Sequence, residues 1–292
     1  MINKIRDDNG AMQETSTAIV EAFTTHFQKA FQPINVKEKS MGKVLQRGIR
    51  SLSPEMSSLT GPITEDELWK AVSKGKSYKA TGVDGIGLEF YRSKLDVIKT
   101  EFAQIISCMF LNDPLIAQVN GHVCIPKKPH PVRIKDYRPL TLLKADYKIL
   151  ARIIGNRLKP ILQDLIHPRQ HCGIQGTSVF EAVAKIRDII THVEKTKSPL
   201  CVNCLDFHSP FDRISHRCLE GTLRSYGFED LFVRRIMGLH RNATSEMQIN
   251  GFRSKSFTVY SSIRQGCPLS MQLYALCINP LHYLEEYSLA LG

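Results

Sequence analysis

No stretch of this chain is apolar for long enough to span a bilayer, and its opening, MINKIRDDNG, lacks the apolar core of a secretory signal. The expectation is a chain without a membrane segment, intracellular, with nucleus and cytoplasm not distinguished. Acidic residues are in deficit, 28 Asp and Glu against 39 Lys and Arg, for a formal charge of +11. That imbalance points to a polyanionic partner, because basic groups that neutralise phosphates release condensed counterions; anionic membrane surfaces would suit the same charge. The eight cysteines do not read as a disulfide framework. Cys108, Cys124 and Cys277 lie in apolar segments, where reduced, buried thiols are expected. Cys201 and Cys204 form one C-x-x-C with His208 and His216 nearby, but no second cysteine pair follows. Residues three apart on a strand face opposite sides, so a zinc site is not expected.

At 292 residues, 42% hydrophobic and 23% charged, the chain is long enough for one large or two ordinary globular domains. Helical spacing of Ile19, Phe23, Phe27 and Phe31 after Thr15 and Ser16 predicts a helix with a core-facing phenylalanine stripe. Residues 32–60 read as a linker with a short helical piece near 44–49. Thr64 and Glu67 predict a capping box, and a loop dense in lysine and glycine, KGKSYKATGVDGIGLEFY, follows. Such a loop either presents N–H groups and ammonium charges to phosphates or is a solvated turn. A helix is expected over 95–110, then a strand over 119–125, a basic turn, and a second strand through Leu140, Leu142 and Leu143. Cations at the tip of that hairpin suit a triphosphate, since Arg offers a planar fork and Lys a point charge.

Two helices are expected over 145–165, the second beginning at Pro160, and another capping box at Ser178 and Glu181. The helix after it repeats Val179, Val183, Ile186, Ile189, Ile190 and Val193, a stripe expected in the core. Asn250 and Gly251 predict a tight hairpin turn. From Ser270 a nearly all-apolar helix is expected to be buried and to kink at Pro280. The mixed order argues for α+β rather than a regular β-α-β repeat.

The stretch CVNCLDFHSPFDRISH, residues 201–216, predicts a buried strand over Cys201–Leu205 with Asp206 at its open end. A buried carboxylate there could hold a hard cation such as Mg²⁺; on pattern alone, an aspartate at a strand end is more often a turn or cap residue. Ser215 is a cap candidate for a helix ending at Gly227.

Leu205, Asp206, Phe211, Asp212 and His216, together with the run Arg264, Gln265, Gly266, Cys267, Pro268, Leu269 and Ser270, resemble reverse transcriptases of non-LTR (LINE-type) retrotransposons. Gly82, Asp84, Gly85, Phe90 and Tyr91 are similar to that family's fingers region, as are Lys127, Lys128 and Tyr137-Arg138-Pro139. The resemblance implies right-hand polymerase fingers and a partial palm with the thumb missing: residues 1–60 an N-terminal helix and linker, 61–200 fingers, 201–292 an incomplete palm. It implies two-metal nucleotidyl transfer with Mg²⁺, with RNA template, DNA primer and dNTP as partners and Asp206 as catalytic metal ligand. It places Lys127, Lys128 and Arg138 near the incoming nucleotide, Phe211 under its sugar, and Gln265 and Gly266 against the template and nascent pair.

The sequence also departs from the family. Ile174 and Thr177 replace an aromatic and an arginine, Ser209 and Pro210 stand for the usual Lys-Ala, and no Asp-Asp pair follows Asp7-Asp8. One carboxylate does not hold two divalent ions against their repulsion, so the chain is expected not to polymerise alone. Two readings follow: a reverse-transcriptase fragment, enzymatic by ancestry, or a non-catalytic nucleic-acid-binding module. A poorly folded remnant is a third.

Overall fold

A computed structural model describes residues 1–47, 59–111 and 119–289. A two-residue hairpin, β1 (Ile5–Arg6) and β2 (Met12–Gln13), leads into α1 (Ser16–Ala30), where Thr15 Oγ1 accepts the Ala18 amide at 3.3 Å. The phenylalanine stripe is core, as expected. Phe23 meets the Tyr137 ring edge-on at 5.2 Å, and Phe31 stacks on Phe257 at 6.4 Å. Helix α2 (Glu38–Arg47) covers part of the piece expected near 44–49, whose last two residues lie outside the described range. Helix α3 (Glu65–Ser73) opens on the expected capping box of Thr64 and Glu67.

Helix α4 (Leu88–Leu111) starts well before Leu95, because Leu88 and Tyr91 add a turn that packs on the same core. Strand β3 (Val119–Pro126) and strand β4 (Tyr137–Leu142) are antiparallel, joined through a short 3₁₀ turn at Ile134–Asp136. Helix α5 (Ala145–Leu165) runs unbroken through Pro160, against the expected break. A helix-interior proline costs about 3 kcal/mol. Leu158, Leu162 and Leu165, all buried, offset it, since each buried leucine contributes roughly 1.5–3 kcal/mol. After α6 (Val179–Thr196) come α7 (His216–Ser225), capped by Ser215, and α8 (Asp230–Gly238). Strand β5 (Thr244–Ile249) turns at Asn250 and Gly251, with φ of 53° and 85°, into β6 (Phe252–Arg253). Two positive φ values make the twisted turn that hairpins favour. Strand β7 (Phe257–Thr258) and helix α9 (Ser270–Leu289) complete the described chain.

The sheet runs β4-β3-β5-β6, with β7 also on β5; β3 and β5 are parallel and the other pairs antiparallel. The architecture is α+β, as expected. One core gathers α3, α4, α5, α7, α8 and α9, and a second seats α1 against β5 and β7.

Four further expectations are overturned. Residues 201–207 form no strand, and Val202, Leu205 and Phe207 are exposed. A strand needs a neighbour to take its N–H and C=O groups, and among the described residues none pairs with this stretch. No α6 residue is buried, and Phe180 is 84% exposed. Periodicity shows that a face is apolar, not what covers it. The capping box at Ser178 does not form: its hydroxyl accepts from Phe180 N, and Glu181 lies 3.7 Å from His171. All eight cysteines are free, but Cys108 is exposed, on the outer side of α4.

Arg157 crosslinks α5 to the segment before α3. Its guanidinium meets both oxygens of Glu67, at 2.6 and 2.7 Å, and the carbonyls of Leu59, Gly61 and Pro62 at 3.3, 2.8 and 2.7 Å. Arg264, 4% exposed, sits over the Tyr147 ring at 5.2 Å, and its Nη1 has no hydrogen-bond partner among the described residues. Around it lie His122, His216 and His240. Burial and then, among other effects, the Arg264 charge hold them down, at about 3, 4 and 3.

Arg157→Ala is expected to lower unfolding stability by about 2–4 kcal/mol in urea titrations, with Arg157→Lys rescuing little, because a point charge cannot span a carboxylate and three carbonyls. A loss below about 0.5 kcal/mol would contradict this role. The three depressed histidines bind fewer protons folded than unfolded, so stability is lost as pH falls below their unfolded value near 6.5. Asp212 acts in the opposite sense, because burial raises it to about 6. The net expectation is a drop of about 2–3 kcal/mol between pH 7.5 and 5.5; equal stability at both would refute it.

Candidate functional site

Strand β4 ends against the loop that opens α9, and most of the candidate residues lie along that seam. The Thr141 amide donates to the Gln265 carbonyl at 2.9 Å. Gly266 has φ of 105°, and a Cβ there would lie 2.9 Å from the Thr141 carbonyl oxygen. Only glycine takes both the left-handed backbone and the close approach. Leu269 and Leu273 then bury α9 in the main core.

On one side of Gly266 opens a cavity of about 670 Å³, walled by the glycine-rich loop, β4 and α5. Lys74, Lys76, Lys79, Lys148 and Arg152 line it with a single acid, Glu89. Lys148 and Arg152 are one helical turn apart on α5, and both are held below their ordinary values: burial acts first, then the charge of Arg152 on Lys148 and of Arg92 on Arg152. Desolvated like charges are the arrangement an anion relieves. Gly82, in the loop, packs so closely on Lys144 that a Cβ would lie 2.7 Å from its backbone nitrogen, which brings the loop against α5.

On the other side, Gln265 Nε2 donates to both carboxylate oxygens of Asp212, at 3.0 and 3.1 Å. The Phe211 carbonyl accepts from Ile263 N at 2.9 Å, and the Phe211 ring lies 4.9 Å from that of Tyr274. Tyr274 in turn walls a smaller cavity of about 310 Å³ lined also by Asp206, Phe207, His208 and Arg213. Asp206 is exposed, in the stretch that forms no strand. Among the described residues it is the single carboxylate of that cavity, and no cluster of three metal-ligating side chains exists.

The hairpin cations are mostly engaged. Lys128 pairs with Asp136 at 3.0 Å, and Lys127 Nζ donates to the Lys135 carbonyl at 2.9 Å while its charge also acts on Asp212. Arg138 is exposed on β4. Thus Phe211, Gln265 and Gly266 share one seam with Lys127 in electrostatic reach, and Asp206 joins it through Tyr274. Sequence reasoning missed Asp212 as the partner of Gln265, and missed Lys148 and Arg152. The last two could have been found as cations at i and i+4 on the polar face of an otherwise apolar helix.

Residues 125–285 match the family model described as reverse transcriptase (RNA-dependent DNA polymerase). The Transposon TX1 uncharacterized 149 kDa protein of Xenopus laevis is 33% identical over 276 residues, covering 94% of this chain and 21% of that protein. The Retrovirus-related Pol polyprotein from type-1 retrotransposable element R2 of Nasonia vitripennis is 27% identical, covering 78% of this chain and 22% of that protein. The RNA-directed DNA polymerase from mobile element jockey of Drosophila melanogaster is 22% identical, covering 93% and 30%. The chain thus spans between 21% and 30% of the length of these relatives. With the family match across the seam, β4 and most of α9, this chain belongs to the reverse transcriptase family, as a domain of the non-LTR retrotransposon type.

Proposed function

We propose that the seam around Gly266 is the nucleic-acid and nucleotide face of this domain. The observation that carries the reading is the cation-lined cavity that Gly266 borders, with Lys148 and Arg152 desolvated and in no ion pair among the described residues, the Asp84 charge only partly offsetting burial at Lys148. A template strand's phosphates would lie along Lys74, Lys76, Lys79, Lys148 and Arg152. Gln265 and Gly266 would meet the template and the nascent pair, Phe211 would support the sugar of the dNTP, and Lys127, Lys128 and Arg138 would face its triphosphate. In this reading residues 61–200 are fingers, 201–292 part of a palm, and 1–60 an N-terminal helix and linker. The partners are an RNA template and a DNA primer.

Mg²⁺ is the family's expected cofactor, and Asp206 is the residue that would hold it. The donor set does not fit a two-ion centre: among the described residues the cavity at Asp206 offers one carboxylate, too few to offset the repulsion between two divalent ions. No chemical step is derived through the metal. The same observation favours the second reading, a nucleic-acid-binding module without polymerase activity of its own.

Affinity for a primed RNA template is expected to fall steeply with salt, with a log–log slope of about −3 to −5 if the five cavity cations each meet phosphate. Lys79→Ala with Lys148→Ala should reduce that slope by about 2. A salt-independent affinity, or a slope untouched by the double variant, would refute the face. No primer extension is expected in Mg²⁺; extension abolished by Asp206→Asn would show the chain to be an active polymerase and overturn the second reading.

A further inference from the structure

Asp212 has no part in the function above, yet the fold spends much on it. It is 7% exposed, and burial raises its carboxyl to about 6 even with the Gln265 bond and the Lys127 charge opposing. Its main chain is tied on both sides: the amide donates to the Ser209 carbonyl at 3.1 Å, and the carbonyl accepts from Ser261 Oγ at 3.4 Å. No ion pair reaches it among the described residues; its side-chain partner is a neutral amide. An apolar residue would fill the same space without a desolvated charge, so a purely structural role leaves the carboxylate unexplained.

What the carboxylate does is choose between the two faces of a carboxamide. A glutamine amide offers a donor on one side and an acceptor on the other, and rotation by half a turn exchanges them. With Nε2 bonded to both oxygens of Asp212, Oε1 is turned away from it. The reversed amide would set a carbonyl oxygen against a carboxylate with no proton between them. The main chain at this position is already fixed, because the Gln265 carbonyl is held by Thr141 and Gly266 permits no retreat.

We propose that Asp212 is a positioning residue that locks the Gln265 amide with its carbonyl oxygen toward the nucleotide side, so that this position accepts a hydrogen-bond donor, a sugar hydroxyl or a base amino group. The donor preference rests on the nucleotide reading given above. The lock does not.

The test has two arms, both on the full chain. In the first, glutamine side chains are labelled with ¹⁵N, and the Gln265 NH₂ signals are assigned by their loss in Gln265→Glu. Slow solvent exchange at pH 7.5 is expected, with a shift that titrates near pH 6 in wild type and vanishes in Asp212→Asn. Signals that exchange as fast as those of an exposed glutamine, unchanged by pH or by Asp212→Asn, would overturn the lock.

In the second arm, binding of dGTP is compared with that of dideoxy-GTP, which lacks the sugar hydroxyl, and dITP, which lacks the base amino group. Wild type should lose about tenfold with one of the two analogues, which identifies the donor, and Asp212→Leu should abolish the difference. Asp212→Asn, which keeps an acceptor for Nε2, should retain part of it and guards against a misfolded leucine variant. Equal binding of all three by wild type overturns the donor preference. No binding of any of them, with the lock intact, overturns the nucleotide reading and leaves Asp212 positioning the loop alone.

Discussion

The meeting of two backbones, at Thr141 and at Gln265–Gly266, is the constraint on which the rest of the molecule depends. A hydrogen bond of 2.9 Å and a glycine without room for a Cβ press the loop before α9 onto the end of β4. Because α9 carries Tyr274 and the loop carries Gln265, that contact decides where Phe211, Asp212 and Asp206 stand relative to the sheet. Because β4 runs directly into α5, it also decides where Lys148 and Arg152 stand. One close approach thus sets the lysine-lined cavity on one side and the carboxylates on the other.

Beneath the loop lies a charge without an obvious counterweight. The Arg264 guanidinium is buried over Tyr147 and faces histidines that burial, with its charge as a lesser effect, keeps neutral. A buried cation is costly unless its field is answered, and here the answer comes from an aromatic face and neutral rings. Each histidine is also used for shape. His122 bridges β4 and β5 through Thr141 and Ser245, and His240 returns a ring nitrogen to the Ile236 carbonyl. The loop is therefore anchored beside rings that burial holds uncharged, which ties the stability of the seam to pH.

Much of the fold was legible because its signals are local. Thr64 and Glu67 cap a helix by their own spacing, Asn250-Gly251 makes a turn from two backbone angles, and the α1 phenylalanines mark a face one helical turn at a time. The stretch 201–205 and helix α6 were misread for one reason: their apolar pattern was clear, but burial requires a partner, and none of the described residues supplies it. Within the site, Gln265 and Gly266 were singled out through a resemblance of seven consecutive residues and Phe211 through a separate match at 205–216, and the structure brings the three to one seam. The bond between Asp212 and Gln265 was not, since it joins residues 53 apart and each alone reads as an ordinary polar position. Lys128, read as a nucleotide contact, also closes a turn with Asp136.

Hydrogen–deuterium exchange on the full chain, with and without a primed RNA template, tests most directly whether the backbone contact at Gly266 organises a nucleic-acid face. Slower exchange is expected together in residues 74–82 and 264–268, the two segments that the contact brings to one cavity. Slowing confined to other segments, with both of these unchanged, would contradict the account.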